Sequence, residues 1–252
     1  VVFPLIGVAM MPLKAVVGNE LYLGILFCTL VPSTVQSSVA FTSIARGHVA
    51  ASIVAASVSS LLGVLFTPLL VLLLMSSSEG FHIDATTFLD IGIQLLLPFA
   101  IGQLLRRWVF KFAASPATKK VDQISIGLVV YVSFSEGIVS GVWSSVSWVT
   151  VLGLVVGSIA LVYLMLSVTS ATSRKLGFDY ADQVAIQFAG TKKSLASGLP
   201  MAAVMFGGAS LGMMILPLMI FHQVQLVICS MRASSYATRF PEGGKTVGAR
   251  TW

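Results

Sequence analysis

Residues 184–206 read VAIQFAGTKKSLASGLPMAAVMF, an apolar segment long enough to approach membrane thickness that is interrupted by GTKKS at 190–194. Glycine lets a chain leave helical geometry, and Ser194 can cap a helix that restarts after the interruption. Lysine is rare inside such a segment, because a cation at bilayer depth costs at least about 2.5–3.5 kcal/mol on insertion scales. Lys192 and Lys193 therefore indicate a site that faces a cavity or the interior of a helix bundle.

A second apolar segment, at 21–45, is interrupted by VPSTVQSS at 31–38. Proline disfavours helical geometry in the residue before it, so we expect the helix to break at Val31 and to restart near Ser37. Unwound backbone persists in a membrane only where it is buried in protein or faces a watery cavity. The two interruptions together supply the candidate binding residues, which are Ser33, Thr34, Gln36, Ser37, Ser38, Gly190, Thr191, Lys192, Lys193 and Ser194.

The composition of the whole chain requires a lipid environment. Of its 252 residues, 56% are hydrophobic and 10% are charged, and the mean hydropathy is +0.96. A soluble domain of this length has too small an interior to bury so much apolar surface. We therefore expect an all-α polytopic membrane protein. The apolar runs predict eight spans, at about 1–17, 21–45, 49–75, 88–105, 124–143, 148–169, 184–206 and 211–231.

The positive charges lie mainly on one side of this alternating arrangement. Twelve of the 15 Lys and Arg residues fall in the loops or the tail on that side, whereas the loops on the other side contain only Lys14. Lys and Arg are enriched in cytoplasmic loops, so the pattern predicts a cytoplasmic C-terminus. The formal charge of +6 is not arranged as an exposed basic face with interleaved aromatic residues, and we expect no nucleic-acid partner.

Enzymatic motifs are weak in this sequence. GASLG at 208–212 fits the nucleophile-elbow pattern by letter, but that elbow needs a strand-to-helix turn, whereas here it lies between two predicted spans. No H-E-x-x-H, Walker A or G-x-G-x-x-G pattern occurs. We therefore expect a protein that is not an enzyme and needs no organic cofactor. An intramembrane hydrolase with Ser210 as its nucleophile is the alternative that this match leaves open.

The two interrupted segments occupy corresponding places, since each is followed after a short loop by a further apolar span. Paired discontinuous helices of this kind are typical of inverted-repeat transporters, which bind substrate and ions near the bilayer midplane. Half-helix N-termini present N–H groups to anions, and unwound carbonyl groups present oxygen to cations. The alternative is that Pro32 and Gly190 are ordinary kinks, which membrane helices tolerate.

Four stretches resemble the bile acid:sodium symporter family. They are VPSTVQSSVAFTSIARGHVAAS at 31–52, SSLLGVLFTPLLV at 59–71, QFAGTKKSLASGLPM at 187–201 and FHQVQLVICS at 221–230. The resemblance is to the bacterial branch, which implies a location in a bacterial inner membrane. It also implies an inverted-repeat symporter fold with two crossed discontinuous helices, and N-terminal helices that are missing from this chain.

The resemblance implies a division into a core domain and a panel domain. The core would comprise 1–76, as a partial first repeat, and 147–232. The panel helices would lie at 87–143, and a cytoplasmic tail at 233–252.

The resemblance also implies a sodium site, formed by Ser37, Ser38, Ser52, Gln187 and Thr191. Gln187 stands where sodium-binding members have a glutamate, so the negative charge that favours sodium is absent. Lys192 falls where the family has an asparagine. Its ammonium would stand in place of the sodium charge or serve as counter-ion to an anionic substrate. A buried amine also releases its proton readily, which adds proton coupling as a second alternative.

The expected function is secondary active transport of a small organic anion by alternating access, with coupling to sodium, to protons or to neither. A non-transporting membrane regulator or sensor with the same fold is the alternative. Along a substrate path we expect Glu136, His222 and Gln223. Glu136 is the one acid at mid-depth of the fifth predicted span, although neighbouring serines could also satisfy it. The expected partners are the lipid bilayer and the anion, and the oligomeric state is not indicated.

Overall fold

The computed structural model describes residues 2–75, 97–113, 115–118, 146–206 and 211–239, with the further positions 93, 120–121, 124, 128, 131, 135 and 138–139. Every regular element within these residues is a helix. The predicted all-α polytopic fold is confirmed. The inverted repeat stays a prediction.

The helices follow one another in a simple order. They are α1 (Val2–Ala9), a 3₁₀ turn (Met11–Leu13), α2 (Lys14–Val17), α3 (Asn19–Leu30), α4 (Val35–Ile44), α5 (Val49–Met75), α6 (Leu97–Ala113), α7 (Trp148–Lys175), α8 (Tyr180–Thr191), α9 (Leu195–Phe206) and α10 (Leu211–Arg239). Among the described residues, α5, α7 and α10 are each long and apolar enough to cross a membrane. The pair α3 and α4, bent by 59°, is apolar enough to form one broken span or a re-entrant loop.

The first predicted span is not a single helix. Residues 2–17 form two short α-helices joined by a 3₁₀ turn that has proline in its first residues, and Gly18 ends α2 at φ +86°. Proline has no backbone N–H and cannot continue a regular α-helical ladder. Residues 2–17 together still form one short apolar helical stretch, which coincides with the first predicted span. Residues 97–105 of the fourth predicted span lie in α6, whereas the fifth predicted span falls largely outside the described residues.

The first interruption lies where the sequence predicts it, but it is shorter. α3 ends at Leu30, and Val31 is extended at φ −65°, ψ 152°. α4 begins at Val35, two residues before the predicted restart. Thr34 occupies the N-cap position, yet its side chain makes no capping hydrogen bond. The first turn of α4 therefore keeps N–H groups that no side-chain cap satisfies.

The second interruption begins later than the sequence predicts. α8 continues through Gly190 and ends at Thr191, and Lys192 is extended at φ −95°, ψ 155°. α9 begins at Leu195. The break therefore consists of Lys192, Lys193 and Ser194, and the prediction that Gly190 unwinds is wrong. Glycine permits non-helical geometry without requiring it.

The chain forms two compact units. Unit 1 comprises Val1–Val31, Gly63–Trp148 and Leu195–Leu218. Its helices approach closely at Gly24, where an added Cβ would lie 2.5 Å from the backbone oxygen of Met214. The rings of Phe27 and Phe206 meet edge to face at 5.1 Å.

Unit 2 comprises Pro32–Leu62, Val149–Ser194 and Met219–Trp252. It contains all the candidate binding residues of both interruptions. Its core includes the buried side chains of Ala45, Val184, Phe188, Cys229 and Ala233. The division into core and panel domains stays a prediction.

The turn between α4 and α5 is fixed to the start of α8 within unit 2. The His48 N–H donates to the Ala181 carbonyl at 2.9 Å, and Tyr180 Oη donates to the Ala45 carbonyl at 3.0 Å. His48 Nδ1 lies 2.7 Å from an Asp182 carboxylate oxygen. These contacts join the two half-helices whose ends form the candidate site.

Candidate functional site

The two interruptions are in direct contact. The Ser194 N–H, in the second break, donates to the carbonyl oxygen of Pro32, in the first, at 2.8 Å. Both residues belong to unit 2. The candidate site is built around this backbone hydrogen bond.

The first break is held by serine side chains of α5. Ser59 Oγ accepts from the Ser33 N–H at 3.1 Å, and Ser60 Oγ donates to the Ser33 carbonyl at 3.2 Å. Unwound backbone inside a membrane protein has no water to satisfy it, so side chains must supply these partners. Both backbone groups of Ser33 are therefore paired without helical geometry.

The second break is held in the same way by α10. Gln225 Oε1 accepts from the Lys193 N–H at 2.8 Å, and Gln225 Nε2 donates to the Lys193 carbonyl at 2.7 Å. Gln225 is fully buried. One side-chain amide thus pairs both backbone groups of Lys193, as two serines do for Ser33.

His222 lies beside the pairing of Gln225 with the Lys193 backbone, which we call the clamp. Its Nδ1 lies 2.8 Å from Gln225 Nε2 and 3.2 Å from the Lys193 carbonyl oxygen. An amide nitrogen is a donor only, so Nδ1 accepts in the shorter contact, and its approach to the Lys193 carbonyl oxygen is then not a hydrogen bond. His222 thereby orients the amide that holds the second break.

The end of α8 is joined to the start of α4 by serine hydroxyls. Ser33 Oγ donates to the Ala189 carbonyl at 2.7 Å. That carbonyl lacks its usual helical partner, because the Lys193 N–H donates to Gln225 instead. Ser38 Oγ lies 2.6 Å from the Thr34 carbonyl and 3.3 Å from that of Phe188. Ser33 and Ser38 therefore bond to carbonyl groups of Ala189 and Phe188 in the last turn of α8.

Three polar side-chain atoms around the crossing are buried without a hydrogen-bond partner among the described residues. They are Ser37 Oγ, Thr191 Oγ1 and Lys192 Nζ. Lys192 and Thr191 are 1% and 0% exposed. Buried polar atoms are nearly always paired in native proteins, so three unpaired atoms near one crossing require a partner, and a bound polar ligand is one candidate.

The Lys192 ammonium lies among aromatic rings. Nζ is 3.7 Å from the ring centroid of Phe41 and 5.6 Å from that of Phe188. Both acids in the described part of unit 2, Asp179 and Asp182, lie at the start of α8. Ten residues of helix separate Asp182 from Lys192, which is roughly 15 Å. The ammonium therefore has cation–π contacts but no carboxylate partner in this part of the chain.

Two of the oxygen atoms that the resemblance implies as sodium ligands already accept a hydrogen bond. Thr42 Oγ1 donates to Ser52 Oγ at 3.1 Å, and Gln187 Oε1 accepts from Tyr236 Oη at 2.8 Å. Ser37 and Thr191 keep unpartnered hydroxyls. The set has no negative charge, and a buried lysine adjoins it in sequence, so these residues fit sodium poorly.

The remaining sequence-predicted residues are scattered. Gln36 and Gln223 are exposed. Gly190 packs against α7, where an added Cβ would lie 2.9 Å from Thr169 Cγ2. Lys193 is 7% exposed, and its backbone rather than its ammonium defines its place in the clamp. Glu136 lies outside the described residues.

The sequence did not predict a role in the site for several residues that contact the two breaks or their side chains. Ser59 and Ser60 of α5 were only part of a family stretch, and Phe41 and Tyr236 carried no expectation. Gln225 was only part of the family stretch at 221–230. Helical spacing could have indicated Phe41, because it follows Ser37 by four residues and therefore shares its face of α4.

The chain is similar to a transporter family along most of its length. The model of the SBF-like CPA transporter family matches residues 1–238. The uncharacterized protein PA2026 of Pseudomonas aeruginosa is 50% identical over 244 residues, which cover 95% of this chain and 73% of PA2026.

Two further relatives have names that refer to transport. YfeH of Escherichia coli K12, whose name describes a symporter, is 45% identical over 94% of this chain and 72% of its own length. Sodium/bile acid cotransporter 7 of Xenopus tropicalis is 29% identical over 82% of this chain and 62% of its own length.

Proposed function

The chain belongs to the SBF-like CPA transporter family, and we propose that this integral membrane transporter moves a small organic anion by alternating access. The family is a transporter family, so the resemblance to the bile acid:sodium symporter family is confirmed and the hydrolase alternative is not retained. Ser210, on which that alternative depended, lies outside the described residues.

The observation that carries the proposal is the contact between the two breaks. The Ser194 N–H to Pro32 carbonyl hydrogen bond brings two unwound segments together inside one unit. Unwound backbone at membrane depth is stable only when it is buried or lines a cavity, and transporters use it to contact their cargo. A site at this crossing can be exposed to either side of the membrane in turn.

The charge of the site favours an anion. Lys192 is 1% exposed, and no described acid of unit 2 lies near it. A buried cation without a carboxylate partner is costly, and a bound anion would reduce that cost. The start of α4 adds the positive end of a helix dipole without a side-chain cap. We therefore propose a substrate with a carboxylate or a similar anionic group.

The same charge argues against sodium coupling. Gln187 is neutral and its oxygen already accepts from Tyr236. The lysine ammonium would supply the positive charge that sodium provides in sodium-coupled relatives. Coupling to protons, or passive exchange of anions, fits these side chains better.

We further propose a bacterial inner-membrane location with the C-terminus in the cytoplasm. Support comes from the basic loops on one side of the predicted spans and from the similarity to bacterial proteins.

The experiment that tests the proposed function is flux into proteoliposomes. The purified protein is reconstituted, and uptake of labelled carboxylates is measured with an imposed sodium gradient, with a proton gradient and with neither. We expect protein-dependent uptake of at least one anion that does not require sodium. Absence of protein-dependent flux for every anion would contradict transport and favour a regulator. Strict dependence of uptake on sodium would contradict the proposal that transport is not coupled to sodium.

A further inference from the structure

The most unusual group in the described part of the chain is the ammonium of Lys192. It is 1% exposed, and it has no hydrogen-bond acceptor among the described residues. An ammonium carries three N–H donors, and a ring face satisfies none of them as an oxygen would. Its place 3.7 Å from the Phe41 ring centroid therefore compensates it only partly.

Groups that can help Lys192 to hold an anion lie one helical turn from Phe41, toward the start of α4. Phe41 and Ser37 are four residues apart on α4, so their side chains share one face and lie one turn, about 5.4 Å, from each other along the axis. Ser37 Oγ has no hydrogen-bond partner among the described residues. The same end of α4 has an N-cap residue, Thr34, whose side chain makes no capping bond.

Thr191 supplies a further free group beside the lysine. Its hydroxyl is buried, 0% exposed, and unpartnered within the described part of the chain. It immediately precedes Lys192 and ends α8. An anion near the start of α4 would thus meet the Ser37 hydroxyl and backbone N–H groups of α4, and Thr191 adds a second unpartnered hydroxyl at the end of α8.

We propose that Lys192 has two positions: in the absence of substrate its ammonium rests on the Phe41 ring, and it moves one turn toward Ser37 to hold the anionic group of the substrate. This inference rests on the proposed function, since it names the residue that compensates the substrate charge. Phe41 is then a residue that sets affinity without contacting the substrate.

The resting contact has a definite consequence for binding. A ligand that needs the second position must first displace the ammonium from the ring, so the resting contact lowers the apparent affinity. Weakening that contact should tighten binding, whereas loss of an ordinary structural contact would weaken it. The four-carbon lysine side chain is flexible enough to make such a move.

A double-mutant cycle tests the resting position without any ligand. Thermal unfolding of the purified protein is compared for Phe41→Leu, Lys192→Met and the double variant. If the ring holds the ammonium, Phe41→Leu lowers Tm by about 2–4 °C more in the wild-type background than in the Lys192→Met background. Phe206→Leu, which changes an aromatic pair in unit 1, should show no such coupling to Lys192→Met. Additive effects of the first pair would overturn the resting position.

Carboxylate binding tests the second position. The probes are acetate, pyruvate and benzoate at constant ionic strength, with benzamide as the neutral analogue of benzoate, and binding is followed by thermal shift. We expect a carboxylate to stabilise the wild type and benzamide not to do so. Lys192→Met should weaken binding at least about tenfold, Phe41→Leu should tighten it about two- to fivefold, and Phe41→Tyr should leave it unchanged. Weaker binding in Phe41→Leu, or no carboxylate response in the wild type, would overturn the inference.

Flux separates this inference from the proposed function. Suppose that the wild type transports a carboxylate while Lys192→Met and Phe41→Leu bind it with wild-type affinity. The two positions of Lys192 are then wrong, and the proposed function stands. If binding follows the predicted order but no flux occurs, transport is contradicted and the lysine assignment stands.

Discussion

The side-chain amide of Gln225 pairs with both backbone groups of Lys193, accepting from its N–H at 2.8 Å and donating to its carbonyl at 2.7 Å. Ser33 in the first break has the same arrangement, with two serines of α5 in place of one amide. In each case the partner comes from the long helix that follows the interrupted segment. The unwound backbone is thus held rigidly by side chains rather than left to solvent.

Replacement of Gln225 by alanine should destabilise the protein strongly. The change leaves a buried N–H and a buried carbonyl of Lys193 unpaired, and each unpaired group costs about 1–3 kcal/mol. We expect the free energy of unfolding to fall by about 2 kcal/mol or more, which is measured through the Tm and the denaturant midpoint. Gln223→Ala is the matched control, because Gln223 is an exposed glutamine on the same helix. Equal effects of the two changes would show that the clamp does not contribute.

Replacement of Ser33 by alanine should loosen the connection between the breaks. The Ser33 hydroxyl donates to the Ala189 carbonyl, whose helical partner is engaged elsewhere. We expect destabilisation of about 1–3 kcal/mol together with reduced flux, because the end of α8 loses its contact with the first break. Ser43→Ala, at an exposed position of α4, should change Tm little. Full stability and full flux in Ser33→Ala would contradict this role.

Gly24→Ala tests the close helix contact in unit 1. An added methyl group would lie 2.5 Å from the Met214 backbone oxygen, and backbone cannot move aside as a side chain can. We expect a lower yield of folded protein and a lower Tm. The free energy of unfolding should fall by about 1–3 kcal/mol, which is the usual cost of overpacking. Gly153→Ala in α7, where an added Cβ meets nothing within 4 Å, should be tolerated. An unchanged yield and Tm in Gly24→Ala would show that α3 and α10 are not this close.

The predicted orientation can be checked with reporters fused after Trp252. A cytoplasmic C-terminus predicts activity of a reporter that folds only in the cytoplasm, and no activity of one that functions only in the periplasm. Reversal of the two signals would contradict the orientation inferred from the basic loops.

The breaks were predictable from sequence because proline and lysine inside an apolar run have strong physical consequences. Pro32 disfavours a helical Val31, and α3 does end at Leu30. The restart was less accurate, because α4 begins at Val35 without a side-chain cap. Gly190 permits unwinding but stays helical against Thr169. Local sequence cannot decide whether Gly190 is helical or unwound, because that also depends on tertiary contacts, such as the close approach of α7 at Thr169.

The partners of the breaks were harder to predict. Ser59, Ser60 and Gln225 are far from the breaks in sequence, and only the tertiary fold brings them to Ser33 and Lys193. The lysines were located correctly as buried, at 1% and 7% exposure. The contact of Lys192 with Phe41 required the structure, because a phenylalanine in an apolar helix usually serves packing alone.

The most direct test of the account is carboxylate uptake by proteoliposomes that contain Lys192→Gln, compared with wild type and with Lys175→Gln, a change at an exposed lysine at the end of α7. A glutamine at this position keeps the polarity and approximate size of the side chain but removes the charge that compensates the anion. We predict uptake reduced at least about tenfold in Lys192→Gln and unchanged in Lys175→Gln. Wild-type uptake by Lys192→Gln would contradict the claim that this buried ammonium binds the transported anion.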